Sequence, residues 1–394
     1  MEPHRFAILS SVFVCLSVTV PAFARTIVVD NDLADCPQAD YRSIQEAVLA
    51  AEAADKILVC SGIYAESVVI NRPDLRIEAQ GAPGEVVLQG TPAQPFGFHL
   101  SNTTGVVLEG FTVQLFGEAN IRIEGGSGNT LRKNITKLSP NGHGIQVINS
   151  SDNVVEQNSS SKNLGAGIRG AGITVISTVT VPATSNNIIR HNETFENATV
   201  GLQILTAPPV VGKLSGNVLF GNDSYDNLAI GIRNVQLANG SVIENNRVFG
   251  NVRGIIVGNS TEVIVRNNRS ERNKEFGIRL QNGAVNNRVE KNEVFENEQD
   301  GIRLEGAAPP IPPGVPGPVV GNTVQLNTVR QNGRDGIRVV DALSRDNPIE
   351  RNVLLHNREH DAHDDSVGEG TGGTANFWIN NKCETENRPG LCRN

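Results

Sequence analysis

Apolar residues in this chain come in short bursts, two positions apart, separated by joints rich in glycine and asparagine. The bursts share the form Gly-aliphatic-x-aliphatic, which recurs as Gly144-Ile145-Gln146-Val147, Gly201-Leu202-Gln203-Ile204, Gly254-Ile255-Ile256-Val257, Gly277-Ile278-Arg279-Leu280, Gly301-Ile302-Arg303-Leu304 and Gly336-Ile337-Arg338-Val339. Gly167-Ile168-Arg169 and Gly231-Ile232-Arg233 read as shorter versions. The steps between these glycines are 23, 34, 30, 23, 23, 24 and 35 residues, a unit near 23 lengthened three times. Alternation at a spacing of two predicts half-buried strands, and a repeat of this length predicts a solenoid.

A second pattern keeps the same phase. Asn158, Asn192, Asn222, Asn246, Asn268, Asn292, Asn327 and Asn352 are each followed five residues later by another asparagine and preceded three residues earlier by an aliphatic residue. One lap has too little apolar surface to fold alone, whereas laps stacked about 4.8 Å apart share a single aliphatic core, which requires parallel strands. Asparagines at one corner then pass amide hydrogen bonds from lap to lap. The glycines are expected to supply unusual backbone geometry at the next corner. A leucine-rich repeat has a similar period, but its spaced leucines and its helical segment per unit are missing. The expected fold is therefore all-β, a parallel solenoid of about a dozen laps over residues 57–371. Ahead of it, residues 25–56 hold a strand and a helix: Ser43 with Glu46 is a capping-box pattern, after which Ile44, Ala47, Val48 and Ala51 share a helical face that would plug one end of the core. Residues 372–394 break the repeat, contain Trp378, and are expected to cover the other end.

Composition adds limits. With 43 Asn and 40 Gly among 394 residues and 17 aromatic side chains in all, a helical bundle is disfavoured. A net charge of −8, from 34 basic and 42 acidic residues, offers no general attraction to nucleic acid or to an anionic membrane, so anion binding has to be local. Residues 1–24 combine Arg5, an apolar stretch from Phe6 to Val20, and small Ala22 and Ala24, which fits a cleaved secretory signal better than a retained anchor. A secreted or periplasmic protein beginning at Arg25 is expected. Cys15 leaves with the signal, and Cys36, Cys60, Cys383 and Cys392 remain. Three pairings are open, and position favours Cys36 with Cys60 and Cys383 with Cys392, each fastening one terminus.

These residues resemble the right-handed parallel β-helix proteins of the pectin-lyase-like superfamily, in particular its Asn-rich carbohydrate-binding and sugar-hydrolysis repeats. The resemblance covers nearly all of residues 26–394. It is carried by Tyr41-Arg42-Ser43-Ile44-Gln45-Glu46-Ala47-Val48, by Lys56-Ile57-Leu58-Val59, by Gly62-Ile63-Tyr64-Ala65-Glu66 with Val68 and Ile70, and by the repeats. It implies a right-handed coil. The superfamily includes polysaccharide lyases, hydrolases, uronate epimerases, phage tailspikes and periplasmic copper-assembly proteins, so the resemblance alone selects no activity. The Asp-Pro-His signature of alginate epimerases is absent, and no catalytic residue is transferred.

Stacked laps make columns more informative than runs. The residue before the repeat glycine is His143, Ala166, Val200, Ile230, Arg253 and Phe276, then Asp300 and Asp335, and the next lap puts His360 there. Three residues further on stand Arg279, Arg303, Arg338 and His363. Paired carboxylates at this spacing suit a calcium ion or the acid and nucleophile of a retaining glycosidase. With arginines to neutralise a uronate carboxylate, His360 or an aspartate would serve as the base in lyase or C5-epimerase chemistry. The expected catalytic set is Asp300, Asp335 and His360, with Arg279, Arg303, Arg338 and His363 binding substrate; the plainer alternative is ion pairing at a wet corner. The longer column Arg122, Arg169, Arg233, Arg279, Arg303 and Arg338 would suit a polyanion, although Glu124 and Glu305 beside it favour a mixed-charge solvated face. His356, His360, Asp361, His363, Asp364 and Asp365 combine imidazole and carboxylate donors suited to zinc or copper. Three expected insertions, 173–185, 206–216 and 307–321, would project from one corner and wall a groove. The scarcity of aromatics argues against tight binding of a neutral glycan. The sequence thus points to an exported β-helix engaging an extended polysaccharide such as a uronate polymer. The alternative classes are a metal-handling periplasmic protein and a structural surface protein.

Overall fold

Each lap of the chain contributes one short strand to each of three parallel sheets of 14, 12 and 12 strands. The computed structural model describes residues 24–178, 184–207, 214–306 and 317–392. The expected signal, apart from Ala24, and Pro309, Pro310, Pro312, Pro313 and Pro316 of the proline-rich insertion lie outside those residues. The protein is a right-handed parallel β-helix in which sequence-equivalent residues pair in register: Ile278 with Ile302, Arg279 with Arg303 and Leu280 with Leu304 are typical. The inward aliphatics of all three sheets form one continuous core running from Ile27 to Leu391.

Asparagine ladders run along all three edges between the sheets. Between the first and third sheets, Asn134, Asn158, Asn192, Asn222, Asn246, Asn268, Asn292, Asn327, Asn352 and Asn381 are stacked and buried. The rungs between the two ends repeat one bonding scheme. The Asn268 amide donates to Asn292 Oδ1 at 3.0 Å and to the Ile243 carbonyl at 2.8 Å, while its own Oδ1 accepts from the backbone and side-chain nitrogens of Asn246 at 2.9 and 3.0 Å. A second ladder runs from Asn163 through Asn197, Asn227, Asn251, Asn273, Asn297 and Asn332 to Asn357. A third, unforeseen, joins Asn129, Asn153, Asn187 and Asn217, and resumes at Asn287, Asn322, Asn347 and Asn376. The residue before most rungs has positive φ, such as Gln157 at 57°, Asn267 at 55° and Lys291 at 57°. The bend turns the chain and leaves backbone groups that the buried amide then satisfies.

The repeat glycines work differently from expectation. Gly254, Gly277, Gly301 and Gly336 do not have positive φ; a Cβ on Gly301 would stand 2.3 Å from Val329 Cγ1 and 2.7 Å from the Gly336 carbonyl oxygen. Space, and not backbone freedom, requires glycine there.

One lap is also phased differently. Ile145 pairs with Ile173, and Gln146 with Thr174, so Gly172 is the repeat glycine and Ala171 occupies the column assigned to Ala166. Ile173–Ser177 is a strand of the second sheet and not an insertion.

Both ends are closed. The helix Ile44–Ala50 buries Ile44, Ala47 and Val48, with Ser43 as its N-cap, and the Glu66 carboxylate accepts from the Ile44 and Gln45 backbone nitrogens at 2.8 and 3.0 Å. Phe377–Ile379 adds the last strand of the first sheet and buries Trp378. Disulfides join Cys36 to Cys60 and Cys383 to Cys392. Among the described residues no helix is long and apolar enough to cross a membrane.

Removing one rung orphans several buried partners at once. Asn268→Ala is expected to lower the unfolding free energy by roughly 3–5 kcal/mol, read from the urea-unfolding midpoint, because Asn246 and Ile243 lose partners that water cannot replace.

Candidate functional site

The outer face of the second sheet carries a column in strict register: His99, Arg122, Gln146, Thr174, Gln203, Arg233, Ile256, Arg279, Arg303, Arg338 and His363. Outward alternation between two inward aliphatics puts them there. Arg169 is not a member, since its lap is represented by Thr174; it lies on the loop that precedes this strand.

Most of the column's arginines have acidic partners. Arg122 meets Glu124 at 2.9 Å, Arg279 meets Glu305 at 2.7 Å, and Arg303 bridges Asp300 and Glu305, both at 2.8 Å. Arg233 differs. Among the described residues it makes no ion pair; its guanidinium donates to Gln203 Oε1, and its Nε has no partner. Burial pushes its pKa down and no carboxylate offsets that effect. Beside it opens a cavity of about 420 Å³, with Ile230 and Ile256 as apolar lining and Arg253, Gln281, Asn259 and Asn282 as polar lining. Gly258 carries no side chain between its column neighbours Val235 and Gln281, and the Gln281 side chain lies over it.

At the C-terminal end the column meets an acidic one. Asp300, Asp335 and His360 succeed each other by lap, as the backbone bonds Gly301 N to Asp335 O and Gly336 N to His360 O require. The structure brings together Asp300, Asp335, His360, His363, Arg303, Arg338 and Asp365. Asp300 and Asp335 are both fully buried, Arg303 and Arg338 are mostly covered, and it is Asp365 and the edge of His360 that face the surface. Asp335 Oδ1 lies 3.2 Å from His360 Nδ1, and its Oδ2 lies 3.1 Å from His363 Nδ1 and 3.4 Å from Arg338 Nη1. Burial alone would raise the Asp335 pKa, but His363, Arg338 and His360 outweigh it and hold the carboxyl below its usual range. Burial likewise pulls His363 down, and Asp335 with Asp365 reverses that, leaving the imidazole raised. The Asp335 carboxylate and the two imidazoles offer donor atoms all within 4.8 Å of one another.

The remaining expected metal donors sit elsewhere. Asp361 is buried, its Oδ1 accepting from Asn357 and its Oδ2 from the Glu384 and Thr385 nitrogens. Asp364 accepts from Ser366 through Oδ1 and from Asn376 and Trp378 Nε1 through Oδ2. His356 holds an exposed corner with φ 58° ahead of Asn357.

Two further features escaped the sequence reading. Phe195, Tyr225 and Phe249 stack face to face on the third sheet, with ring centroids 5.2 and 4.9 Å apart, and Arg247 lies over Phe249. Each ring stands two residues before the second asparagine of its pair, a phase that would have revealed the stack. The other is a cavity of about 200 Å³ lined by Arg122, Arg169, His143 and Gln146. His143 Nδ1 accepts from the Ala171 nitrogen at 3.3 Å, and burial, with Arg169, Arg233 and Arg122 near, pulls its pKa to about 3.

Comparison with known proteins agrees with this architecture. A family described as "Right handed beta helix region" matches residues 92–232, and one described as "Periplasmic copper-binding protein (NosD)" matches residues 215–388. A mannuronan C5-epimerase of Pseudomonas syringae pv. tomato is 34% identical over 90 residues, which are 22% of this chain and 17% of that protein's length. Among solved structures, the A-module of the mannuronan C-5 epimerase AlgE6 of Azotobacter vinelandii superposes with a TM-score of 0.59 at 13% identity, covering 88% of this chain and 93% of that one. The Dettilon tailspike protein superposes with a TM-score of 0.57 at 14% identity, over 85% and 63%. At such identities the structural likenesses establish the parallel β-helix fold.

His143 makes the fold sensitive to acid. Below about pH 6.5 the unfolded chain takes a proton that the folded imidazole refuses until about pH 3, so stability is lost as the pH falls through that window. Between about pH 7 and about pH 5 the wild-type protein is expected to lose roughly 2 kcal/mol more than His143→Gln, measured by urea unfolding at each pH.

Proposed function

We propose that this chain binds an acidic polysaccharide, a uronate polymer, along the outer face of its second sheet, with Arg233 as the principal anchor. The observation that carries this reading is a half-buried guanidinium, its Nε unpartnered and without an acidic partner among the described residues, at the edge of a cavity of about 420 Å³. Partly burying a cation without a counter-ion has a cost, and an arriving carboxylate both relieves that cost and forms charge-assisted hydrogen bonds. Ile230 and Ile256 offer an apolar surface to a sugar ring, while the amides of Gln281, Asn259 and Asn282 suit its hydroxyls.

The in-register column supports an extended ligand over a compact one. Arg279, Arg303 and Arg338 continue the line at one position per lap, and their acidic partners share them with a polymer by exchanging one carboxylate for another. The local identity to a mannuronan C5-epimerase and the fold shared with an epimerase module favour the same substrate class. The reactions belonging to that class, elimination and inversion at C5, are read in the same assay.

The test is calorimetric titration of the protein with alginate and polygalacturonate oligosaccharides at low salt, alongside a neutral glucan. Reaction is followed in parallel by ultraviolet absorbance of unsaturated ends and by NMR of the uronate C5 proton. Arg233→Ala is expected to weaken uronate binding by about 10- to 100-fold, and added salt to weaken it further. Equal affinity for the neutral glucan, or wild-type affinity in Arg233→Ala, overturns the proposal.

A further inference from the structure

A hydrogen bond at the C-terminal end of the second sheet fixes more than it first shows. His363 Nε2 lies 2.9 Å from Asp365 Oδ1. A carboxylate only accepts, so Nε2 carries the proton, and the Nδ1 of a neutral ring therefore turns its lone pair outward. That lone pair faces Asp335 Oδ2 at 3.1 Å. Both atoms are buried without a hydrogen-bond partner, and the Asp335 side chain has no exposure to solvent. Two facing acceptors at this distance repel unless a positive charge stands between them, either a second proton on His363 or a metal cation.

His360 completes the arrangement, with Nδ1 3.2 Å from the other Asp335 oxygen and its ring 36% exposed. The three donor groups lie within 4.8 Å of one another, close enough for small side-chain movements to gather them around one ion bound at about 2.0–2.2 Å to each. We propose that Asp335, His360 and His363 bind one transition-metal dication, zinc(II) or copper(II), with Asp365 orienting His363 from behind.

The donor set selects the metal class. Two imidazole nitrogens and one carboxylate suit zinc and copper, whereas calcium and magnesium prefer all-oxygen shells. A carboxylate on the far nitrogen of a ligating histidine is the usual outer support, and it fixes the ring's tautomer and raises its basicity. The partial exposure of His360 leaves a side open for water or an exchanging ligand. Arg338 opposes binding, standing 3.4 Å from Asp335 Oδ2. Its Nη1 makes no hydrogen bond there, and its Nη2 lies within 3.4 Å of Asp365 Oδ2, which can retain it. Asp300, Asp335 and Asp365 outnumber Arg303 and Arg338 at this end. The site stands whether or not a polymer binds at Arg233.

The full chain, stripped with chelator, is dialysed against zinc sulfate and separately against copper sulfate, and bound metal is counted by elemental mass spectrometry. The expected result is about one equivalent in the wild type, with affinity at least tenfold lower in His363→Gln and His360→Gln and about 10- to 100-fold lower in Asp365→Asn. His356→Gln is expected to bind as the wild type does. Copper-loaded protein should show two coupled nitrogens by electron paramagnetic resonance, and His360→Gln should show at most one. Should His363→Gln fail to fold by circular dichroism, His360→Gln, altered near the surface, decides alone. Absence of stoichiometric metal on the wild type, or undiminished metal on His360→Gln, overturns the proposal; the first outcome would leave a proton on His363 to separate the two acceptors.

Discussion

The side-chain amide of asparagine, passed from one lap to the next, is the interaction on which the structure depends. A strand of three residues has almost no independent stability, and a corner between two such strands exposes backbone groups that no sheet can satisfy. An asparagine at each bend resolves both difficulties, because its two donors and its acceptor meet the rung above, the rung below and a carbonyl of the flanking lap. The cost of a buried polar group becomes the device that holds laps in register. Once register is fixed, side chains pointing outward have no choice but to form columns.

That constraint explains what the sequence could disclose. The asparagine pairs five apart, the aliphatic three before them, and the convergence of Asp300, Asp335, His360, Arg303, Arg338 and His363 were all legible, because a column is a statement about spacing. Where the pattern relaxed, reading by motif went astray. Gly167-Ile168-Arg169 matches the repeat in letters, yet Gly172-Ile173-Thr174 is the lap that pairs with Gly144-Ile145-Gln146. The earlier triplet belongs to a loop, and only pairing distinguishes the two. The third ladder went unread because Ser241 and Val263 interrupt it, so that its period fails mid-chain although its geometry does not.

The cavity beside Arg233 was beyond spacing arguments altogether. It is lined by Ile256, an apolar floor at one outward position, and by Gly258 two residues on, over which the Gln281 side chain folds. Depth is a property of several laps together, and no single lap records it. The same holds for burial: Asp300 and Asp335 sit in a column that is surface-facing in spirit but lie beneath Arg303, Arg338 and His360 in fact. Charge was legible from the letters, and accessibility was not.

The ladders also have a direction. Along each unbroken run the rungs hand one amide hydrogen toward the C-terminus, so the last rung holds a donor with nowhere to go. Two of the three ladders meet an anion at that point: Asn357 ends on Asp361, and Asn376 ends on Asp364. A carboxylate can receive but cannot hand on, and it therefore terminates a unidirectional array that would otherwise invite another lap, or another molecule, to dock on it. The acids clustered in the final laps thus act as a full stop in the grammar of the coil, defining its length chemically as well as covering it.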